Sequence, residues 1–244
     1  MGTGFGFLFL VGIIGVLVGT AGIGGFLLVP ILILMESVSV RDALVVATLS
    51  FLVAGFVSLW AMHREPTAGR RGVGAFLLFA VPGAALGAAV VGLAQERLLS
   101  GFIACAFAAA GVCEWMGLPR LRERDRLDAV TGSIGGCATG VASTLTGTSG
   151  PMAAIPILSL LGVDVRRRVR IAQVAQIPIG VAALLTYAMV TDVPWKLATQ
   201  TAAALGIGAL AGIYAGRRMP AAGLRRAAAL LMLAASAYMA AKVF

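Results

Sequence analysis

Charge is scarce in this chain. Only 12% of its 244 residues are charged and one is a histidine, against 60% apolar residues and a mean hydropathy of +0.99. Soluble domains average about 25% charged and roughly 45–50% apolar residues. The shortfall excludes a soluble globular enzyme, a disordered chain and a coiled coil, and leaves a single polytopic membrane domain. Cysteine is also sparse. Cys105, Cys113 and Cys137 lie in apolar segments without metal-ligand spacing, which excludes a disulfide framework and reads as buried thiols. No nucleophile–base pair, zinc-ligand cluster or phosphate loop is present, so no catalysis, metal or cofactor is expected.

The net charge of +9 comes from nineteen Lys and Arg against ten Asp and Glu. These basic residues sit in short clusters between apolar runs, where they set membrane orientation rather than bind nucleic acid. The acidic residues avoid the run centres. Glu114 comes closest, beside Trp115 near a run end. His63 lies at a run boundary next to Arg64 and reads as interfacial rather than as a proton relay. Carriers of protons or metals usually bury a carboxylate or histidine at depth, so these positions favour an anion as cargo.

The apolar runs span 4–35, 43–62, 73–93, 98–117, 128–161, 171–190, 197–215 and 227–244. The N-terminus lacks the positive stretch of a cleavable signal, so the first run is expected to stay in the membrane. Six runs match the roughly 20 residues a bilayer requires. The runs 4–35 and 128–161 are too long for one crossing, and each is interrupted centrally: Gly19-Thr-Ala-Gly-Ile-Gly-Gly25 before Pro30, and Thr146-Gly-Thr-Ser-Gly150 before Pro156. A shift of 126 residues carries Thr20 onto Thr146, Gly24 onto Gly150 and Pro30 onto Pro156. With one gap, Val38–Arg41 then meets Val163–Arg166. The order of runs, one long and broken followed by three ordinary ones, occurs twice and indicates a duplication.

Charge selects the topology. If each long run crosses once, ten basic residues fall on one side and nine on the other. If each is a hairpin, the loops 63–72, 118–127, 162–170 and 216–226 share one face and hold fifteen of the nineteen. The positive-inside rule prefers the hairpins, which give each half an odd number of crossings and so invert the halves. The expected fold is all-α and polytopic: a first repeat over 1–117, a cytoplasmic linker over 118–127 and a second repeat over 128–244. Each repeat is a broken-helix hairpin followed by three spans. The charge count leaves open whether a hairpin is re-entrant or two short tilted spans. Trp60, Trp115, Trp195, Tyr187, Tyr214 and Tyr238 all lie near run ends and read as an interfacial belt. The run Val165–Arg170 reads as an anchor to anionic lipid heads.

Irregular backbone at membrane depth persists only where protein or a cavity satisfies its amides. Inverted repeats with broken helices place binding sites near the midplane. Two short helices starting at about Gly25 and Gly150 would offer unpaired N–H groups and positive dipole ends to an anion. Thr20, Thr146, Thr148 and Ser149 would add hydroxyls, and Gly22, Gly24, Gly25, Gly147 and Gly150 would let a ligand approach the backbone. Pro151 suits a first-turn position. Gln173 and Gln176, three residues apart on one helix face, either bind the ligand, brace the second tip or make an ordinary helix–helix hydrogen bond. Thr48 and Ser50 invite the same readings. The glycines also suit close packing between membrane helices.

With Gly19-Thr-Ala-Gly-Ile-Gly-Gly-Phe-Leu-Leu-Val-Pro30 and its degenerate copy Leu145-Thr-Gly-Thr-Ser-Gly-Pro-Met-Ala-Ala-Ile-Pro156, the chain resembles the sulfite exporter TauE/SafE family. The second copy departs from the family's glycine-rich pattern at Thr148, Ser149, Pro151 and Met152. The resemblance implies a multi-pass carrier in the bacterial inner membrane that exports sulfite, sulfoacetate or other small sulfur-containing or organic anions, with lipid and the anion as its partners. A passive anion channel, or a membrane assembly factor without a small-molecule substrate, remain alternatives.

Overall fold

Glycine and proline punctuate the apolar runs where charge does not. The computed structural model describes residues 4–21, 25–62, 70–116, 127–148, 150–215, 230 and 232–240, and among these it contains helices and no strand. The first run divides into α1 (Phe5–Ala21) and, after a 3-10 turn over Gly25–Leu27, α2 (Leu28–Met35). Three long helices follow: α3 (Val40–Met62), α4 (Arg70–Leu93) and α5 (Glu96–Met116). The second long run divides into α6 (Ala129–Thr146) and α7 (Pro151–Leu160), and α8 (Val165–Val190) and α9 (Trp195–Ala215) come next. Residues 232–240 are again helical.

Among the described residues, four stretches are long and apolar enough to cross a membrane: Val40–Trp60, Gly72–Leu93, Arg167–Val190 and Trp195–Tyr214. Leu78, Leu86, Leu185, Met189 and Ile207 point outwards on these helices. Such exposure would be an aggregation liability in water but suits lipid. The two broken runs have unequal legs. At 1.5 Å per residue α6 is roughly 27 Å long and α7 roughly 15 Å. α2, with eight residues, is shorter still. Neither short leg spans a hydrocarbon core of about 30 Å.

Small residues set the directions of the helices. A Cβ placed on Gly132, Gly136 or Gly140 of α6 would lie within 2.0–2.3 Å of the carbonyls of Gly72, Phe76 and Ala80 on α4. The matches ascend together, so α4 and α6 run parallel with their backbones in contact. The same holds for α1 and α9, where Gly15 abuts Leu205 and Gly208, and Gly212 abuts the Val16 carbonyl. α7 turns back along α6: Gly150 N–H bonds the Ser143 hydroxyl near the turn, and Gly135 faces Ile157 and Leu161 further away. Gly92, at the end of α4, meets Val190 at the end of α8, so these two helices run in the same direction. α3 packs on both α8 and α9, at the centre of the bundle.

Polar side chains at helix ends do ordinary capping. Asp128 accepts from the Thr131 amide as N-cap of α6, and Ser39 accepts from the Asp42 amide at the start of α3. Arg41 donates to the carbonyls of Val91 and Ala94 where α4 ends, a favourable place for a cation at a helix C-terminus.

Two expectations are corrected. Tyr187 is fully buried rather than part of an interfacial belt, because its hydroxyl finds a backbone carbonyl inside the bundle. Trp60, Trp115, Trp195 and Tyr214 are exposed as expected. Cys105 is exposed and Cys137 half-buried; a thiol is apolar enough to face lipid as readily as core. His63, the side chains of Cys113 and Glu114, and most of the expected linker lie outside the described residues.

Candidate functional site

The tip of the second hairpin is built from glycine geometry and one serine. Gly147 ends α6 in the left-handed conformation (φ 60°). The Gly147 and Thr148 amides bond back to the carbonyls of Thr144 and Ser143, a Schellman closure that satisfies the helix's last acceptors. Gly150 also has positive φ (55°), and its N–H bonds the Ser143 hydroxyl at 3.2 Å. Pro151 occupies the first turn of α7 as expected. With Gly147 and Gly150 bonded internally, the first-turn amides of α7 without an acceptor inside the helix are those of Met152 and Ala153.

The hydroxyls near the tip are also engaged. Thr146 bonds the Ala142 carbonyl at 2.7 Å and the Thr148 hydroxyl at 2.6 Å. Thr20, half-buried on α1, donates to its own helix at Leu17. Thr48 and Ser50 do the same towards Leu44 and Val46. A ligand would therefore compete with these bonds for each hydroxyl proton. Gly22, Gly24 and Ser149 lie outside the described residues.

The two hairpin tips meet. A Cβ on Gly25 would lie 2.7 Å from the Phe51 ring and 3.6 Å from the Thr148 carbonyl oxygen. One on Gly147 would meet Val29 of α2 at 2.8 Å and Leu44 of α3 at 2.6 Å. On the other flank, Gly150 lies against Gln176, whose Cγ would be 3.0 Å from a Cβ there. Gln176 donates to Gln173 at 3.1 Å within α8, and both side chains are buried. The Oε1 of Gln176 has no hydrogen-bond partner and faces the notch left by Gly55 on α3, 3.2 Å from a Cβ there. Gly25, Gly147, Thr148, Gly150 and Gln176 thus come together between the halves. Thr20 has its bond elsewhere, on its own helix.

Three residues here escape sequence reasoning. Ser143 holds Gly150. Tyr187 of α8 donates to the Thr144 carbonyl at 3.2 Å and so ties the end of α6 to α8. Phe51 roofs Gly25. A lone serine and a lone tyrosine in apolar helices carry no signal by themselves. Phe51 was within reach, since it stands 125 residues before Gln176.

Among the described residues no group of three or more His, Cys, Asp or Glu is arranged to hold a metal ion. The chemistry on offer is backbone amide, side-chain amide, hydroxyl and aromatic surface, which can hydrogen-bond and pack against a small ligand. The family model described as Sulfite exporter TauE/SafE matches residues 5–239. No curated protein and no solved structure matches the chain.

Proposed function

Because the chain belongs to the sulfite exporter TauE/SafE family, a family of membrane transporters, we propose that it is a secondary carrier of small sulfur-containing or organic anions, such as sulfite, sulfoacetate or other sulfonates. It would work in the bacterial inner membrane by alternating access around a site between the hairpin tips. The approach of Gly25 to the Thr148 carbonyl carries this reading, because Gly25 begins the helical stretch after the first break and Thr148 lies in the second. The site would comprise Gly25, Gly147, Thr148, Gly150, Gln173 and Gln176, to which the sequence pattern adds Thr20, Gly22, Gly24, Thr146 and Ser149. Met152 and Ala153 would supply the free amides.

Inverted halves are supported by the helix directions. α8 runs with α4, so α9, joined to α8 by a short turn, runs against it. α1 lies parallel to α9 and α6 parallel to α4, the arrangement expected of two hairpins that enter from opposite faces. Exchanging the halves turns the α1–α9 pair into the α6–α4 pair, and α3–α9 into α8–α4. Rocking one such half against the other would expose the site to each side in turn.

The test is thermal unfolding of the purified protein in detergent against sulfite, sulfate, sulfoacetate, taurine, thiosulfate, acetate and chloride at matched ionic strength. A ligand at 100 times its Kd stabilises by about 2.7 kcal/mol when it binds only the folded state. Selective stabilisation, lost in a folded Gly150→Leu variant, is the expected result; a folded variant with unchanged affinity overturns the site. In vesicles, a carrier accelerates uptake when substrate waits on the far side, whereas a channel does not.

A further inference from the structure

Phe51 and Gln176 occupy corresponding places in the two halves, and each covers the glycine at a hairpin tip. The shift of 125 residues that places Val38–Arg41 on Val163–Arg166 also carries Phe51 onto Gln176, Leu52 onto Ile177 and Gly55 onto Gly180; across the tips, where the motif matches at 126, Gly25 falls one residue past the position of Gly150. The contacts follow a similar pattern. A Cβ on Gly25 would meet the Phe51 ring at 2.7 Å, and one on Gly150 would meet Gln176 Cγ at 3.0 Å. Gly55 faces Gln176 and Ile177, while Gly180 faces Leu52.

What differs is the chemistry. Both side chains are 1% exposed, yet one offers a ring face and the other an amide with an unused hydrogen-bonding position. Gln176 spends its Nε2 on Gln173 and leaves its enclosed Oε1 unpaired. A buried amide oxygen without a partner is costly, and a bound polar group would relieve that cost. Turning the Gln173 and Gln176 amides together preserves their mutual bond and presents Nε2 instead of Oε1 at the free position. The pair therefore serves a deprotonated oxygen with N–H or a protonated one with C=O.

Resting on the carrier reading above, we propose that Phe51 and Gln176 are the specificity-determining pair of the site. Gln176 hydrogen-bonds the anionic head and Phe51 packs against a short carbon stem. The site then selects a stem-bearing organic anion over an inorganic oxyanion of like charge, and the unlike side chains at this pair answer the two unlike ends of the substrate.

The experiment measures the Kd of linear methane-, ethane- and propanesulfonate, with sulfite and sulfate as stemless anions, on the purified full chain in detergent at matched ionic strength. Each added methylene should tighten binding about fourfold in the native sequence. Phe51→Leu should keep that slope, and Phe51→Gln should flatten it to within about twofold. Gln176→Leu should weaken every anion by about tenfold or more and leave the slope unchanged. The double exchange Phe51→Gln with Gln176→Phe should restore the slope. Affinity independent of chain length in the native sequence overturns the proposal whatever the variants do, as does an undiminished slope in Phe51→Gln. If sulfonates and sulfite bind without a slope, this inference fails and the carrier reading stands. If no anion binds, both fail.

Discussion

At the scale of single residues, the second hairpin tip depends on Gly147 and Ser143. A left-handed conformation costs an L-residue roughly 1–2 kcal/mol, and a Cβ at 147 would also press on Val29 and Leu44. Gly147→Ala should therefore destabilise the protein by at least about 1–2 kcal/mol, read as a lower Tm in detergent. Ser143→Ala should cost about 1–3 kcal/mol, because it strands the Gly150 N–H. If Tm is unchanged in Ser143→Ala, that hydroxyl does not hold the tip. Gly147 and Gly150 were legible in the sequence because few other residues tolerate such backbone at membrane depth. Ser143 was not, since a buried serine inside a helix usually bonds its own preceding turn.

Between elements, the bundle is held by backbone brought against backbone. This is the arrangement membranes favour, where apolar side chains gain little by leaving lipid of equal polarity. A Cβ on Gly136 would fall 2.0 Å from the Phe76 carbonyl, whereas one on Gly74, on the open side of α4, meets nothing within 4 Å. Gly136→Ala should force α4 and α6 apart and cost about 1–3 kcal/mol or more. Gly74→Ala should be neutral or raise Tm slightly, as alanine improves a helix by up to about 1 kcal/mol. Equal Tm values for the two variants would contradict the close α4–α6 contact. The glycine content of these runs was plain in the sequence, but which glycines pack and which face lipid follows only from the rotation of each helix about its axis.

For the whole molecule, orientation is the accessible prediction. A protease-cleavable tag at 94–95 or 191–194 should be cut on intact cells, and one at 161–164 only after the cells are opened. That pattern places the arginine-rich start of α8 in the cytoplasm. Cleavage of the 161–164 tag on intact cells would undo the hairpin topology and, with it, the carrier reading. The common direction of α8 and α4, whose C-terminal ends meet at Gly92 and Val190, agrees with the arrangement that loop charge prefers.

The sequence by itself determined the membrane setting, the helical class, the two broken runs and the family. The first three rest on composition, periodicity or local backbone chemistry, and the family on its motifs and a match over residues 5–239. Tertiary structure alone decided that Gly25 meets Thr148, that Tyr187 leaves the interface to bond Thr144, and that Phe51 and Gln176 cover glycines at the two tips with unlike groups. Those outcomes depend on how helices far apart in the chain are rotated and staggered against one another. No local pattern encodes that, because in lipid an apolar residue is stable facing either way.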